Sequence, residues 1–235
     1  MKEWFDSPHY KLLYAYRDER EAEEFAKILL KRLDLPAGAY ILDAGCGEGR
    51  YARVLTRMGY KVDAVDANVE APNLPDAVRF FSADLTKWTP DRAYHLIGSF
   101  FTSFGIGMQQ WKEVLQLAQR FSGWLLPGGW LLIDYLNIYL RNPTPKERKT
   151  IQGLSFLIER WQDAHWLYKR ITVEGPQGIE GVYEEKVFKL TQGDLCYIAK
   201  RAGLEVKEFW GDYKGSTFQW DKSPRLILLA RKPLS

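Results

Sequence analysis

The sequence has little cysteine and little histidine, with 2 Cys and 3 His among 235 residues. Cys46 and Cys196 lie far apart and form no CxxC pair, which argues against a disulfide framework and against a cysteine-ligated zinc site. We therefore expect no metal centre. A chain with so few thiols suits a reducing compartment, and we expect a cytoplasmic location.

The sequence also lacks a strong excess of one charge and any long apolar run. Lys and Arg total 33 and Asp and Glu total 30, so the net charge of +3 gives no dense basic surface for nucleic acid. The most apolar stretch, WLLPGGWLLIDYL, is too short and too broken to span a bilayer, and the first residues contain no apolar core of an export signal. We expect a soluble monomer or homodimer with no nucleic-acid or membrane partner.

Strand-like and helix-like stretches alternate through the first half of the chain. Residues 19 to 33 repeat apolar residues at helical spacing, and LPAG ends the pattern. Strands are then predicted at AYILDA, YKVDAVDA, AVRFFSAD, AYHLIGSFF and, after an LPGG turn, WLLIDYLN, with helices at GRYARVLTRMG and MQQWKEVLQLAQRFSGWL. Because the strands are apolar on both faces, this order predicts a doubly wound parallel α/β sheet.

The second half of the chain changes character. The stretch from Leu154 to Leu190 alternates polar and apolar residues between turn signals, which predicts an antiparallel β insertion over about residues 138 to 188. TQGDLCYIAKRAG follows as a helix with Thr191 as N-cap, and LEVKEFWG and PRLILLARK would complete the sheet as an edge hairpin. We predict one domain, 1–235, with an N-terminal helical cap at 1–37 and the insertion as a subdomain.

A glycine-rich turn follows the first predicted strand, in the stretch ILDAGCGEGRYARVL. Its glycines at positions 45, 47 and 49 suit either a tight turn or a ligand lying against bare backbone at a helix start, and their spacing alone favours neither. Asp66 ends the second strand and Asp84 follows the third. A carboxylate at the first position can accept ribose hydroxyls, and one at the second can accept an adenine amine, with the Leu85 amide beside it.

These features together favour a nucleoside-containing cofactor, because the carboxyl ends of parallel strands meet at one edge of the sheet. The spacing is G-x-G-x-G with Arg at position 50, whereas dinucleotide-binding proteins use G-x-G-x-x-G. The pattern therefore disfavours NAD.

The motifs ILDAGCGEGRYARVLTRMGYKVDAVDAN, FFSADL, LIGSFFTSFG and LPGGWLLIDY, in this order, resemble those of class I S-adenosylmethionine-dependent methyltransferases. The resemblance covers about residues 38 to 135, and the tail resembles the closing hairpin of small-molecule members. It implies a mostly parallel seven-stranded sheet of the Rossmann-like methyltransferase fold, with the antiparallel insertion after the fifth strand. It also implies S-adenosylmethionine as cofactor. TSFG at 102 to 105 is similar to a segment of N-methyltransferases that act on small amines and amino sugars.

The resemblance also implies roles for single residues at the cofactor. The glycine-rich turn would line the methionine part, the acidic residues after the second and third strands would bind the ribose and adenine, and the end of the fourth strand would hold the transferred methyl. In chain order, the implied cofactor residues are Asp43, Gly45, Cys46, Gly47, Gly49, Asp66, Asp84, Leu85, Ser99, Phe100 and Phe101. One departure is the short, proline-containing ANVEAPNLPD in place of a full helix, which leaves the wall over the adenine more open or covered by another segment.

The methyl acceptor is less well indicated. A sulfonium methyl is already activated, so a general base is optional, and the weak candidates are His9, Asp134, Tyr135 and His165, of which His165 also reads as a hairpin-turn residue. Tyr10, Tyr14 and Arg17 are candidates to line the substrate entrance, with simple helix packing as the alternative. We predict methyl transfer to a nitrogen or oxygen of a small molecule. The alternatives are a methyltransferase acting on RNA or protein, and a nonenzymatic sensor of the cofactor.

Overall fold

A computed structural model describes residues 2–15, 19–69, 72–140 and 146–234. The chain divides into two compact units, of which the smaller comprises Met1–Arg17 with Arg141–Lys189 and the larger comprises Asp18–Leu140 with Leu190–Ser235. Each unit contains its own sheet and its own cluster of buried hydrophobic residues.

The described residues form six helices and eleven strands. The helices are α1 Lys2–Phe5, α2 Pro8–Leu13, α3 Glu19–Leu33, α4 Arg50–Arg57, α5 Trp111–Trp124 and α6 Gln192–Arg201. The strands are β1 Tyr40–Ala44, β2 Lys61–Asp66, β3 Arg79–Ser82, β4 Tyr94–Ser99, β5 Leu125–Leu136, β6 Lys146–Ile151, β7 Leu154–Gln162, β8 Trp166–Gly175, β9 Gly178–Phe188, β10 Glu205–Trp210 and β11 Arg225–Arg231. None of these helices combines the length and the apolar character that crossing a membrane requires.

The larger unit contains a seven-stranded sheet in the order β10-β11-β5-β4-β1-β2-β3. Neighbours from β5 to β3 are parallel, and β11 lies antiparallel between β5 and β10. The chain order reverses between β1 and β4, and ligands of open α/β sheets bind beyond the carboxyl ends of the strands at such a point. The predicted doubly wound sheet and its closing hairpin are confirmed.

Helix α3 covers this sheet with one apolar stripe, as its spacing predicts. Ala22, Phe25, Leu29 and Leu33 are buried in the core of the larger unit. Burying a side chain the size of Phe25 or Leu29 contributes about 1.5–3 kcal/mol. The ring of Phe25 lies 4.9 Å from that of Tyr213, so this helix is packed close to the carboxyl edge of the sheet.

The predicted LPGG turn differs in detail from the structure. β5 begins at Leu125, which pairs with Tyr94, and the next pairing joins Trp130 to Leu96. The intervening residues form a bulge inside the strand, with Gly128 at a φ of +76°. A turn-like sequence is thus accommodated without ending the strand.

The smaller unit is an antiparallel four-stranded sheet in the order β6-β7-β8-β9. Trp4 and Leu13 from the N-terminal helices pack with Phe156, Ile158 and Ile171 on this sheet. The antiparallel insertion is confirmed, and its first described strand, β6, is one that the sequence pattern does not predict. Of the predicted N-terminal cap, α1 and α2 pack on the smaller sheet, whereas α3 packs in the larger unit.

Helix α6 begins and ends as its sequence predicts. Thr191 accepts a hydrogen bond from the Asp194 amide at 3.0 Å, and Asp194 accepts one from the Thr191 amide at 2.8 Å, forming a capping box. Gly203 follows the C-cap with a φ of +74°.

Replacing Thr191 with alanine should therefore lower the free energy of unfolding by about 1 kcal/mol, because the Asp194 amide loses its acceptor. Urea denaturation measures the change. Lys200→Ala, at an exposed position of the same helix, is the matched control and should stay within about 0.5 kcal/mol of the unmodified protein. Equal losses in the two variants would contradict the capping role.

Candidate functional site

The three glycines between β1 and α4 all have a left-handed backbone, with φ of +76° at Gly45, +53° at Gly47 and +76° at Gly49. A Cβ atom at Gly45 would lie 2.7 Å from the Ser103 Cβ, and one at Gly49 would overlap the Leu74 side chain. A Cβ at Gly47 would meet nothing within 4 Å. The left-handed backbone favours glycine at all three positions, a Cβ atom would also be crowded at Gly45 and Gly49, and of the three only Gly47 borders open space.

Asp43 supports this turn from beneath. Helix α4 has Gly49 as its N-cap, which offers no side chain, and the buried Asp43 accepts a hydrogen bond from the Ala52 amide at 3.0 Å instead. Burial raises the pKa of Asp43 to about 7, against the opposing Ala52 hydrogen bond, and the nearby Asp66 charge adds to the rise. The contacts of Asp43 are those of a helix cap, and its direct contact with a cofactor stays a prediction.

Asp66, at the end of β2, is attached to the same turn. Its Oδ2 accepts a hydrogen bond from the Gly47 amide at 2.8 Å, and its Oδ1 accepts one from the Asn68 amide at 2.7 Å. The side chain is mostly buried. A carboxylate has about four acceptor positions, so two remain for ligand hydroxyls.

Asp84 and Leu85 follow β3, which is the neighbour of β2. The Asp84 side chain is 46% exposed, and its Oδ1 accepts hydrogen bonds from the amide and hydroxyl of Thr86 at 2.8 and 2.7 Å. Although partial burial acts to raise it, these hydrogen bonds hold the pKa of Asp84 below its usual value. Asp84 is therefore an ionised acceptor, with its second oxygen 3.9 Å from the Lys87 ammonium. Leu85 is half-buried, and its carbonyl accepts from Arg120 at 3.3 Å.

The short segment between Asp66 and β3 lies against the glycine turn. Its described residues, 67–69 and 72–78, contain no helix. Leu74 packs on Gly49, and the Arg53 guanidinium donates to the carbonyl oxygens of Glu48 at 2.6 Å and Asn73 at 3.0 Å. The segment is therefore bound to the glycine turn although it is short and contains no helix in its described residues.

The end of β4 meets the end of β1 through two serines. The Ser99 and Ser103 hydroxyls are 2.8 Å apart, and Ser103 donates to the Ala44 carbonyl at 3.1 Å. Phe100 stacks on Tyr51 with ring centroids 3.8 Å apart. These contacts bring two residues of the predicted methyl site next to the glycine turn and α4.

Asp134 and Tyr135, the predicted candidate bases on β5, are both fully buried. Asp134 accepts hydrogen bonds from the Phe101 amide at 2.8 Å, the Tyr213 hydroxyl at 2.9 Å and the Arg225 Nε at 2.8 Å. All three donors belong to the protein, so the carboxylate is engaged in holding the surrounding chain. Burial raises the pKa of the Tyr135 phenol, so its basic form is disfavoured as well. Their contacts favour structural roles over base catalysis.

The histidines of the smaller unit have local partners. His165 is exposed in the hairpin turn between β7 and β8, where its amide donates to Asp163 Oδ1 at 2.8 Å. This is the turn position that the sequence offers as the alternative. His9 on α2 hydrogen-bonds with the Tyr183 hydroxyl at 2.8 Å and with Glu180 at 3.3 Å.

The predicted substrate-lining tyrosines also pack locally in the smaller unit. The Tyr10 ring lies 5.3 Å from Trp4 and 4.8 Å from Tyr14, and the Lys169 ammonium donates to the Tyr14 hydroxyl. These contacts are those of the packing alternative, so contact with a substrate stays a prediction. Arg17 lies outside the described residues.

A family model described as a methyltransferase domain matches residues 15–208. The chain belongs to this family. It is also similar to the cypemycin N-terminal methyltransferase of a Streptomyces species, with 24% identity over 208 residues that cover 83% of this chain and 84% of that protein.

Solved structures show the same fold. An S-adenosylmethionine-dependent methyltransferase from Clostridium acetobutylicum matches with a TM-score of 0.79 and 16% identity over 95% of each chain. CalS10, an amino pentose methyltransferase from Micromonospora echinaspora, matches with a TM-score of 0.70 and 18% identity over 96% of this chain and 97% of that one. The Rossmann-like methyltransferase fold is confirmed, and the enzyme uses S-adenosylmethionine.

The residues present fit this cofactor. Gly47 leaves open space on the turn, and Asp66 and Asp84 supply acceptors at the ends of neighbouring strands. Within the described ranges, the buried Tyr51 hydroxyl has no hydrogen-bond partner, a rare condition that a polar ligand would relieve.

Sequence reasoning missed several residues that hold this site. Ser103, Leu74, Tyr213 and Arg225 contact the predicted residues directly. Arg225 and Asp134 are separated by 91 positions, so no local spacing marks them as a pair. Only TSFG carries a signal, because Ser103 lies within that motif.

The open space at Gly47 gives a prediction. Gly47→Ala should lower the free energy of unfolding by about 1–2 kcal/mol, the cost of a left-handed alanine. It should also weaken S-adenosylhomocysteine binding by about tenfold or more in isothermal titration calorimetry, because the methyl group fills the ligand space.

Gly59→Ala is the matched control. Gly59 follows the C-cap of α4 with a φ of +89°, and a Cβ atom there would also meet nothing within 4 Å. This variant should lose similar stability and bind S-adenosylhomocysteine normally. Equal affinities in the two variants would show that Gly47 serves only the turn.

Proposed function

We propose that the enzyme transfers the methyl group of S-adenosylmethionine to an amine of a small molecule, such as an amino sugar or a peptide amino terminus. The observation that carries this proposal is the convergence of Gly47, Asp66 and the end of β4 on one edge of a methyltransferase sheet. Of the similar proteins described above, one is an N-terminal methyltransferase and one is an amino pentose methyltransferase, so each is named for an acceptor that carries an amine. The TSFG motif points the same way.

The cofactor supplies a methyl group already activated on a sulfonium, so the protein has mainly to align the acceptor and exclude water. We assign the ribose hydroxyls to the free acceptor positions of Asp66. The adenine amine is assigned to Asp84, which is ionised, with Leu85 beside it. Ser99, Phe100 and Phe101 are assigned to the methyl end.

The acceptor nitrogen must lose a proton before it attacks. We propose that the acceptor loses this proton to solvent before the site encloses it, without a dedicated protein base. Asp134 is paired with Arg225, Tyr135 is buried, His165 is a turn residue, and both ring nitrogens of His9 have partners within the smaller unit. Each contact argues against the role of base.

We further propose that residues 1–235 act as one catalytic domain, with residues 138–188 as a subdomain within it. The family match supports this, because residues 15–208 run through both compact units. A cytoplasmic location belongs to the same proposal and is supported by Cys46 and Cys196, which are both free thiols.

Cofactor binding is tested by thermal denaturation. S-adenosylhomocysteine at about 100 times its Kd should add about 2.7 kcal/mol of stability and raise the Tm, whereas NAD should not. Asp66→Ala should remove most of this shift. Asp91→Ala, which removes a carboxylate with 63% exposure, should preserve it. Equal stabilisation by NAD would overturn the assignment of the nucleotide.

The acceptor is tested by mass spectrometry on a panel of small molecules. Each amino sugar or short peptide is paired with a hydroxyl or blocked analogue, and the amine member should gain one methyl as S-adenosylhomocysteine is released. Methylation of RNA or folded protein alone would contradict the substrate class. Cofactor binding with no methylation of any acceptor would favour a sensor.

A further inference from the structure

Two consecutive residues after β4 have a strained backbone. Phe101 has a φ of +56° and Thr102 a φ of +63°, and neither is glycine. A left-handed conformation is uncommon for any such residue and is an outlier for a β-branched one. Strain of this kind persists only where the surroundings hold it, and it concentrates at functional sites.

Both strained residues are held by Asp134 on β5. The Phe101 amide donates to the Asp134 carboxylate at 2.8 Å, and the Thr102 amide donates to the Asp134 carbonyl, also at 2.8 Å. One residue of the neighbouring strand thus binds both amides of the turn, through its side chain and its main chain.

Arg225 on β11 completes the arrangement. Its Nε donates to Asp134 Oδ1 at 2.8 Å, and its Nη2 donates to the Thr102 hydroxyl at 3.0 Å. The Asp134 side chain is 0% exposed and that of Arg225 is 17% exposed. A buried ion pair gains little net stability over apolar packing, so the attraction between Asp134 and Arg225 does not by itself explain the pair, and the groups of the turn that it binds do.

The turn also fixes an aromatic ring. The centroid of the Phe101 ring lies 4.7 Å from the Arg50 guanidinium and 5.4 Å from the Arg225 guanidinium. The centroid of the Tyr213 ring is 5.9 Å from that of Phe101. Arg50 is the first residue of α4, directly after the glycine turn. The ring therefore lies between the glycine turn and the buried pair.

We propose that Asp134 and Arg225 are positioning residues for methyl transfer, which hold Phe101 and Thr102 in the strained conformation that the methionine end of the cofactor requires. This inference rests on the proposed function, since that function assigns the end of β4 to the methyl group. The pair acts through the turn and does not touch the reacting atoms.

The test compares two ligands that occupy different lengths of the site. S-adenosylhomocysteine reaches the end of β4, whereas adenosine fills only the part assigned to Asp66 and Asp84. In calorimetry, Asp134→Asn should lower the affinity for S-adenosylhomocysteine by about tenfold or more. It should lower the affinity for adenosine by less than about twofold, because only the part of the site that holds the methionine end is displaced.

Adding Thr102→Gly to Asp134→Asn should recover part of the lost affinity. Glycine adopts a positive φ without support, so it removes the strain at one of the two consecutive left-handed residues, while the Phe101 amide still lacks its carboxylate acceptor. Should Asp134→Asn not fold, Thr102→Val carries the same comparison, since it removes the hydroxyl that Arg225 binds and keeps the β-branched strain. Thr102→Val should then weaken the binding of S-adenosylhomocysteine and leave the binding of adenosine unchanged.

Asp63→Asn is the matched control. Asp63 is also buried, accepts from the Tyr94 hydroxyl at 2.7 Å and pairs with Arg79 at 3.3 Å, but it lies in the first half of β2. It should lose stability without changing the ratio of the two affinities.

The positioning role would be overturned if Asp134→Asn lowered the affinities for both ligands by the same factor. It would also be overturned if adding Thr102→Gly recovered none of the affinity for S-adenosylhomocysteine. If the unmodified protein binds neither S-adenosylhomocysteine nor adenosine, the proposed function itself is wrong. The two failures are therefore distinguishable.

Discussion

The left-handed path of the backbone between β1 and α4 is the constraint on which the site depends. Gly49 caps α4 without a side chain, so the free amide of Ala52 is satisfied by Asp43 from the end of β1. The Gly47 amide is satisfied by Asp66 from the end of β2. Two carboxylates at strand ends therefore have structural partners before any ligand binds, and the proposed cofactor site depends on the same contacts as the fold of the turn.

The far end of the chain supplies the other half of the arrangement. β11 pairs with β5 so that Ile227 is opposite Asp134, which places Arg225 two residues along on the same face of the sheet. Because β11 lies antiparallel between β5 and β10, the Arg225 guanidinium reaches the end of β4. The closing hairpin thus contributes to the site as well as to the edge of the sheet.

Local sequence signals predicted most of the elements because their causes are local. The stripe of α3, the capping box at Thr191 and the glycine after α6 each depend on residues within a few positions. The strand β6, KERKTI, has too few apolar residues to show an alternating pattern, and its pairing with β7 decides its conformation.

The site was predictable to the extent that it depends on strand ends. Asp66 and the glycine turn were expected to lie together because the carboxyl ends of parallel strands share one edge, and the hydrogen bond from Gly47 to Asp66 joins them. That Gly45 faces Ser103 and Gly49 faces Leu74 depends on contacts between distant segments, and so does the pairing of Asp134 with Arg225. Such contacts have no spacing rule, since only the completed sheet brings the partners together.

The same geometry explains why the buried group formed by Asp134, Arg225 and the turn after β4 is polar. A buried ion pair can often be replaced by apolar residues without loss, but only where no other group depends on it. Here the chain leaves β4 in a left-handed turn, and the Phe101 amide turns to the carboxylate for its acceptor. An apolar residue at 134 would leave that amide without this partner, at a cost of about 1–3 kcal/mol where it is buried. The strained turn thus requires the carboxylate, and the buried carboxylate in turn requires Arg225.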